Sequence, residues 1–573
     1  MGDNPDFPYS YHTFLFPFIW NDNGNVCMEE FSSILSKKHW VETSWDEEKI
    51  PKKAAGRTQE QAKEDYFLDY ASYQYFTGAA RDVVFNSRGD NVTRVYEFNP
   101  DGRPIRNRGQ YIITKSYDNP EKSERFELNI NGIKLNLYNT GVGIITFELE
   151  YRGIKFVDGR RADSRTMDDV DKINEYGRRI NYPYWPGQGK SHPLVADRIK
   201  IILNGQKFSE ELFLENAKTL QDRFDANRDA VSLSFVMKPI TDLLGGTVTS
   251  FETEKKSDKY FIRPCIDDRM FVCCLVCDPK FAERVKGNYS KGHEYAYLRD
   301  CDASVGHDER TVSSALYRFL FIENSVSCNS ATMRKALLRD SVYDRWINWG
   351  TVYGVTHHSL VCVTGLPDVV EDSVINPFIT TYIHMARMAL VQRASLLALE
   401  AEASALAESF APDRSVNIEQ LERISKLHEK YVKSQNQILL HEVTAQEQGV
   451  ELFDMLQKQL YIGRGKQELN SQLQNLYSIA NINFDRLQLE AEQKEAEADR
   501  RRERVVYRVG FVALFWAIMQ VLPSILKLQE GRTLHYFASD GLILAAAAIV
   551  ITIIIWRFVV RNKPRGDRHG RRK

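Results

Sequence analysis

Alternation of apolar and polar residues is clearest between Arg125 and Tyr151. Phe126, Leu128 and Ile130 alternate with polar neighbours, and after Asn131-Gly132 the alternation resumes with Ile133, Leu135 and Leu137. An Asn-Gly pair suits a type I′ turn, which needs positive φ at both central residues. The pattern therefore predicts a hairpin at 131–132, with a third strand, Gly143–Tyr151, in the same sheet. Apolar runs predict further strands at Thr13–Trp20, Met270–Cys277, Tyr317–Ile322 and Ser359–Val363. Residues 1–370 read as an α+β region long enough for two subdomains.

From Asp372 the period changes. Tyr382–Ser409 is rich in Ala, Leu and Glu and reads as a helix ended by Ala411-Pro412-Asp413. A second helix is expected from Asn417, with Gln420 in capping-box position, as far as Ile462. Gly463-Arg464-Gly465 reads as a breaker. A third helix starts near Lys466 and meets no Pro or Gly before Gly510; Leu469, Leu473, Leu476, Ala480, Asn483 and Leu487 form one seam spaced by three and four. Residues 371–508 thus read as a helical stalk. The third helix is expected to run on to 526, about 90 Å in all. Such a rod is either a mechanical lever or an inert coiled-coil anchor, and the pattern allows both.

Two charge-free apolar stretches follow, at 509–526 and 541–560, the second interrupted only by Arg557 near its end. About 20 helical residues cross a hydrocarbon core of about 30 Å, so these stretches predict a two-helix transmembrane hairpin. Arg500, Arg501, Arg502, Arg504 and Arg508 precede it and a basic tail, 561–573, follows it. The loop between, 527–540, is nearly balanced in charge. The positive-inside rule then puts both termini in the cytoplasm and the loop outside. The expected fold class is an α+β cytoplasmic domain followed by a long α-helical stalk and a C-terminal transmembrane hairpin. Net charge is −1, which gives no bias toward polyanions, so direct nucleic-acid binding is not expected. The opening residues lack a basic n-region, so no signal peptide is read there. The eight cysteines, on the cytoplasmic side of such a protein, are expected as thiols.

Candidate chemistry is sparse. Gly187-Gln188-Gly189-Lys190-Ser191 has the end of a phosphate-binding loop, but Tyr184 stands where its first glycine belongs and no apolar strand precedes it. Cys274 and Cys277 form a C-x-x-C inside Phe271–Cys277. A strand would send them to opposite faces, which favours core cysteines over metal ligands. No catalytic triad, metal motif or acid/base pair is readable, so no enzymatic activity is expected. The densest polar–aromatic cluster runs from Tyr343 to Ser359. Arg345, Trp346, Tyr353, Thr356 and His357 within it suit a nucleobase and its phosphate, or else mark a structural corner where the α+β region meets the helices. Gly510, Ala513, Ala517, Gln520 and Ser524 form a small and polar stripe on one helical face, suited to close helix packing or to a pore lining.

This layout over roughly 375–573 resembles the CorA-like superfamily of metal-ion channels: a cytoplasmic domain, long stalk helices entering a first span, a short outer loop, a second span and a basic tail. The family's Gly-Met-Asn motif is absent; Met519-Gln520-Val521-Leu522 stands there, which counts against magnesium selectivity. Thr13–Trp20 and the Arg345-Trp346 to Tyr353-Gly354 segment look like the CorA-type effectors that accompany some type III CRISPR systems of bacteria. That resemblance implies an inner-membrane channel in anti-phage defence, homo-oligomeric and pentameric. It implies activation by a nucleotide second messenger, an S-adenosylmethionine–AMP conjugate in that group, with no required cofactor; a divalent cation is the other ligand it allows. A divalent-cation transporter and a membrane-anchored scaffold are the alternative readings.

Overall fold

The computed structural model describes residues 7–20, 27–37, 39–44, 59–87, 92–117, 122–181, 194–216, 218, 236–250, 260–287, 295–299, 311–323, 328–365, 370–408, 418–546 in part (to 527, then 546), 549–550, 553–554 and 557. The chain divides into two compact units, Met1–Ser478 and Ile479–Lys573.

The first unit is built on one mixed sheet. Ten strands form its spine: β1 (Ser10–Trp20), β2 (Gly109–Ser116), β3 (Ser123–Tyr138), β4 (Val142–Tyr151), β5 (Arg198–Leu203), β6 (Gln206–Glu211), β7 (Phe271–Cys277), β8 (Val342–Tyr343), β9 (Val352–Val355) and β10 (Ser359–Thr364). Their order is β6-β5-β2-β3-β4-β1-β7-β10-β9-β8. Every pairing along it is antiparallel except β7 with β10, where Val272 lies opposite Ser359. β1 is central, paired with β4 from Ser10↔Tyr151 to Ile19↔Val142 and with β7 on its other edge.

A sheet covered on both faces needs apolar residues on both, which explains why β1, β7 and β10 read as continuous runs rather than alternating ones. On one face Phe14, Phe16, Phe18, Val272, Cys274 and Phe147 meet the largest core. Helices α1 (Met167–Gly177) and α2 (Val312–Phe321) cover it, each started by a threonine side chain, Thr166 or Thr311, that accepts a backbone N–H. On the other face lie Leu15, Cys273 and Leu275, covered by α3 (Ile383–Glu408). Three further helices follow: α4 (Ile418–Gln437), α5 (Glu447–Gln459) and α6 (Ile462–Lys527).

Several expectations change. Asn131-Gly132 makes no turn. β3 runs unbroken through it, and the register against β4 shifts between Ile130 and Gly132. The extra residue is a β-bulge: it moves the buried set from even positions (Phe126, Leu128, Ile130) to odd ones (Ile133, Leu135, Leu137) and keeps both on one face. Tyr317–Ile322 is not a strand but the end of α2, stopped by Ile322 in the left-handed region. The expected helix Asn417–Ile462 is two helices. Thr444 Oγ1 donates to Tyr75 O at 2.6 Å and Gln392 Nε2 donates to Ile438 O and Leu440 O, so side chains hold an irregular segment between α4 and α5. Gly463 and Gly465 do not break α6; the break is at Tyr461, whose φ is +55°. A Cβ on Gly465 would meet Arg393 and Leu396 of α3 at 3.1 and 3.3 Å, so that glycine serves close helix packing.

The transmembrane hairpin is the largest correction. Among the described residues no helix is long and apolar enough to cross a membrane. α6 itself runs through 509–526 as far as Lys527. The expected fold class therefore keeps its α+β region and helices and loses the hairpin. The membrane-channel reading and the inner-membrane location that rested on it are set aside. The outer loop and basic tail, and most of 541–560, lie outside the described residues.

Gly143 on β4 carries the Phe18 ring: a Cβ there would lie 2.3 Å from Phe18 Cζ. Gly143→Ala is expected to cost about 1–3 kcal/mol through overpacking, read as a lower urea midpoint at unchanged slope.

Candidate functional site

The Tyr343–Ser359 cluster is assembled, but onto the protein itself. The guanidinium of Arg345 donates to Glu451 at 2.8 Å and to Glu447 at 2.9 Å, both on α5. Trp346 Nε1 donates to Gln448 at 2.8 Å, and the Tyr343 hydroxyl donates to Glu451. Tyr353 is buried against Tyr343, Phe378 and Tyr382, which leaves its ring no free face for a base. Thr356 is buried and bonded to Ser359 and Leu320 O, while His357 Nδ1 lies 3.0 Å from Gln459 O. Arg345, Trp346 and His357 fasten the β8–β9 edge to α5, while Tyr353 packs against Phe378 and Tyr382 and Thr356 bonds toward the end of α2. This is the structural-corner alternative.

The other sequence candidates divide differently. Gly510 and Ala513 are exposed on α6; the side chains of Ala517, Gln520 and Ser524 lie outside the described residues, as does Gly187–Ser191. Cys274 and Cys277 are buried free thiols, and among the described residues no group of three or more His, Cys, Asp or Glu could hold a metal.

A concavity among the described residues lies elsewhere, on the α3 face of the sheet. It has a volume of about 400 Å³ and is lined by the β3 bulge, Glu148 of β4, the strand Thr93–Phe98, and Ile379, Thr380 and Ile383. That size is within the range of small-molecule sites. Phe378–Tyr382 is a turn of π-helix, the wide form that recurs at functional sites. Lys134 and Glu148 form an ion pair at 2.8 Å in its wall, with side chains only 27% and 19% exposed. Burial opposes the Lys134 charge, yet Glu148 and Glu97 outweigh it and hold the ammonium above its ordinary range.

One step inward along each element comes a set of buried polar groups. Arg387 is one helical turn beyond Ile383, Asn136 two residues beyond Lys134, and Thr146 two residues before Glu148, so each shares a face with a lining residue. Arg387 Nη1 donates to His384 Nδ1 at 3.1 Å, but its Nε and Nη2 have no partner; nor do both amide atoms of Asn136 or the hydroxyl of Thr146. All three residues are essentially inaccessible. His384 is enclosed by Phe76 and Phe85, and burial, then the cations Arg387 and Lys134, hold it far below its ordinary pKa, so it is neutral. Unmet buried donors and acceptors are uncommon in folded proteins and call for a ligand or water.

No family model, curated protein or solved structure matches the chain.

Sequence reasoning missed the cavity because its residues come from six separated segments. One signal was present: Arg387 is a charge within Met385–Val391, an otherwise apolar run of α3.

A fully buried histidine sits on the α1 side. His12 Nδ1 donates to Asn174 Oδ1 at 2.7 Å and its Nε2 accepts from Ser10 Oγ at 2.8 Å. Burial drives its pKa down to about 4, against the hydrogen bond to Asn174. Because the folded values of His12 and His384 are depressed, the unfolded chain takes up protons first as pH falls. Stability is therefore full above about 6.5 and is lost as pH falls below it, by about 1.4 kcal/mol per pH unit for each such group, down to about 4 for His12 and in the same direction for His384. Urea titrations between pH 7 and 4 should show this slope, and His12→Asn should reduce it by one proton.

Proposed function

We propose that this chain is a ligand-operated sensor, in which a small nucleotide-type messenger enters the cavity beneath α3 and its binding is passed to α6. The observation that carries this reading is the cavity, with the unmet Arg387, Asn136 and Thr146 lying behind its lining residues Ile383, Lys134 and Glu148 on the same elements. Lys134 and Arg387 beside Glu97 and Glu148 suit a ligand with groups of both signs, as a nucleotide joined to an amino acid has. The ligand class itself comes from the resemblance to CorA-type effectors.

α3 supplies a route from cavity to output. Its first turns border the cavity. Gln392, further along, accepts from Gln457 of α5 at 2.9 Å, and Gln457 also donates to Leu440 O. Arg393 and Leu396 then meet α6 at Gly465. A ligand shifts such an arrangement only by its differential affinity for two states, and buried orphan groups satisfied in one state alone would supply that difference.

The test is calorimetry on the full chain with an S-adenosylmethionine–AMP conjugate, with ATP as comparison, together with hydrogen exchange. Binding of the conjugate with altered protection in 383–396 and 447–465 is expected. Ile379→Trp, which fills the cavity without changing charge, should abolish it. Absence of binding, or binding untouched by Ile379→Trp, would refute the reading. Arg345→Ala should leave affinity nearly intact while raising exchange in 447–459, because Arg345 holds α5 rather than ligand.

A second reading concerns assembly. Beyond Ser478, α6 exposes Ile479, Ile482, Phe484 and Leu489, and a long helix with exposed apolar side chains gains from a partner. Homo-oligomerisation through this part of α6 is the proposal, read by light scattering of the full chain against a variant with Ile482→Lys and Leu489→Lys.

A further inference from the structure

On the opposite side of the sheet from the cavity, where α1 ends, the chain gathers three arginines. Arg178 caps the C-terminus of α1, and its carbonyl accepts from Met270 N at 2.8 Å. Arg179 is the bridge partner of Arg269. The 178–179 segment thus lies against 269–270, just before β7. His358, just before β10, completes the group through its carbonyl, which accepts from Val272 N at 3.0 Å.

The carboxylates here are unevenly shared. Asp267 binds Arg269 at 2.7 Å and faces His358 Nδ1 at 3.5 Å. Asp268 lies 3.7 Å from Arg179 and 3.5 Å from Arg269. Glu175 of α1 also faces Arg178 and Arg179. Arg178 forms no ion pair among the described residues. Its Nη2 donates to Ile322 O at 3.1 Å, while Nε and Nη1, together with Nε of Arg179, have no acceptor. Arg178 is 2% exposed and Arg179 is 7% exposed. Breaking or omitting the partner of a buried charge is strongly destabilising, so an arginine kept in this state points to an acceptor that arrives from outside. The route is open: the side chains of Arg269 and His358 are 26% and 30% exposed.

We propose that Arg178, Arg179 and Arg269 form a binding site for a phosphate group. A phosphate brings only acceptors, with enough oxygens to meet several guanidinium N–H groups at once, and forked guanidinium donors match it geometrically. The site is separate from the α3 cavity and does not depend on what fills that cavity. Helix α1 adds to the argument by its direction. Its C-terminus accounts for cations here, since they complement the helix dipole, but that dipole satisfies none of the three unmet N–H groups.

Inorganic phosphate and phenyl phosphate are the probes, each titrated into the full chain at constant ionic strength set with chloride. Thermal unfolding and calorimetry are the readouts. Either probe is expected to raise the unfolding midpoint by a few degrees, and the tighter one distinguishes a free ion from a phosphoester as the source. Arg178→Met should leave the phosphate-free midpoint unchanged or higher, because it removes an unpaired buried charge, and should eliminate the phosphate shift. A purely structural arginine gives the reverse: a lower midpoint and an unchanged response to phosphate. Should Arg178→Met give no folded protein, Arg269→Gln at the half-open side carries the test, with affinity for the better probe expected to drop at least tenfold. No response of the wild type to either probe, or a full response in the folded variant, overturns the proposal.

Discussion

The fold depends on one buried helix. From Ile383 to Leu396 only His384 and Arg393 of α3 escape full burial, and a helix apolar on all sides has to be surrounded by structure. The sheet supplies one side, through β1 and β4. The segment after α4, the Gln457 side chain of α5 and the first turns of α6 supply the others. The C-terminal helices up to Ser478 therefore belong with the sheet in one unit, instead of standing apart as a stalk.

Polar atoms within this core do two different jobs. Those of Gln392 and Gln457 are satisfied and fix how α3, α5 and the irregular segment between α4 and α5 meet. Those of Arg387, Asn136 and Thr146, and on the other face Arg178 and Arg179, are left open. A protein that buries its first set so completely has no shortage of ways to pair a guanidinium. These open groups lie near a cavity or near the part-exposed Arg269, where an external acceptor can reach them.

Much of the sheet was legible because its strands are apolar on both faces: β1, β4, β7 and β10 fall where continuous runs or strict alternation put them. The failures have physical causes. Asn131-Gly132 carries the residue signal of a tight turn, but β2, Thr93–Phe98 and β4 give β3 partners along its whole length, and the dipeptide was absorbed as a bulge. Tyr317–Ile322 is as apolar as a strand, and only the cap at Thr311, several residues upstream, reveals the helix. The candidate site was hardly legible. Arg345 and Trp346 stood out by composition, yet Glu447, Gln448 and Glu451, about a hundred residues later, already occupy them. The cavity depends on which strands are neighbours, and local pattern does not encode that.

The cysteines of the sheet have a use of their own. Cys273, Cys274 and Cys362 are fully buried and Cys277 nearly so, and burial holds each thiol far above its ordinary range. Nucleophilic attack needs the thiolate and access to the reagent, so these sulfurs are silent while β1, β7 and β10 stay together. Cys27, exposed at the start of a short helix, has no such protection. Alkylation by a small electrophile is thus a built-in clock: labelling at Cys27 marks the intact molecule, and the arrival of label at Cys273, Cys274, Cys277 and Cys362 times the opening of its central strands.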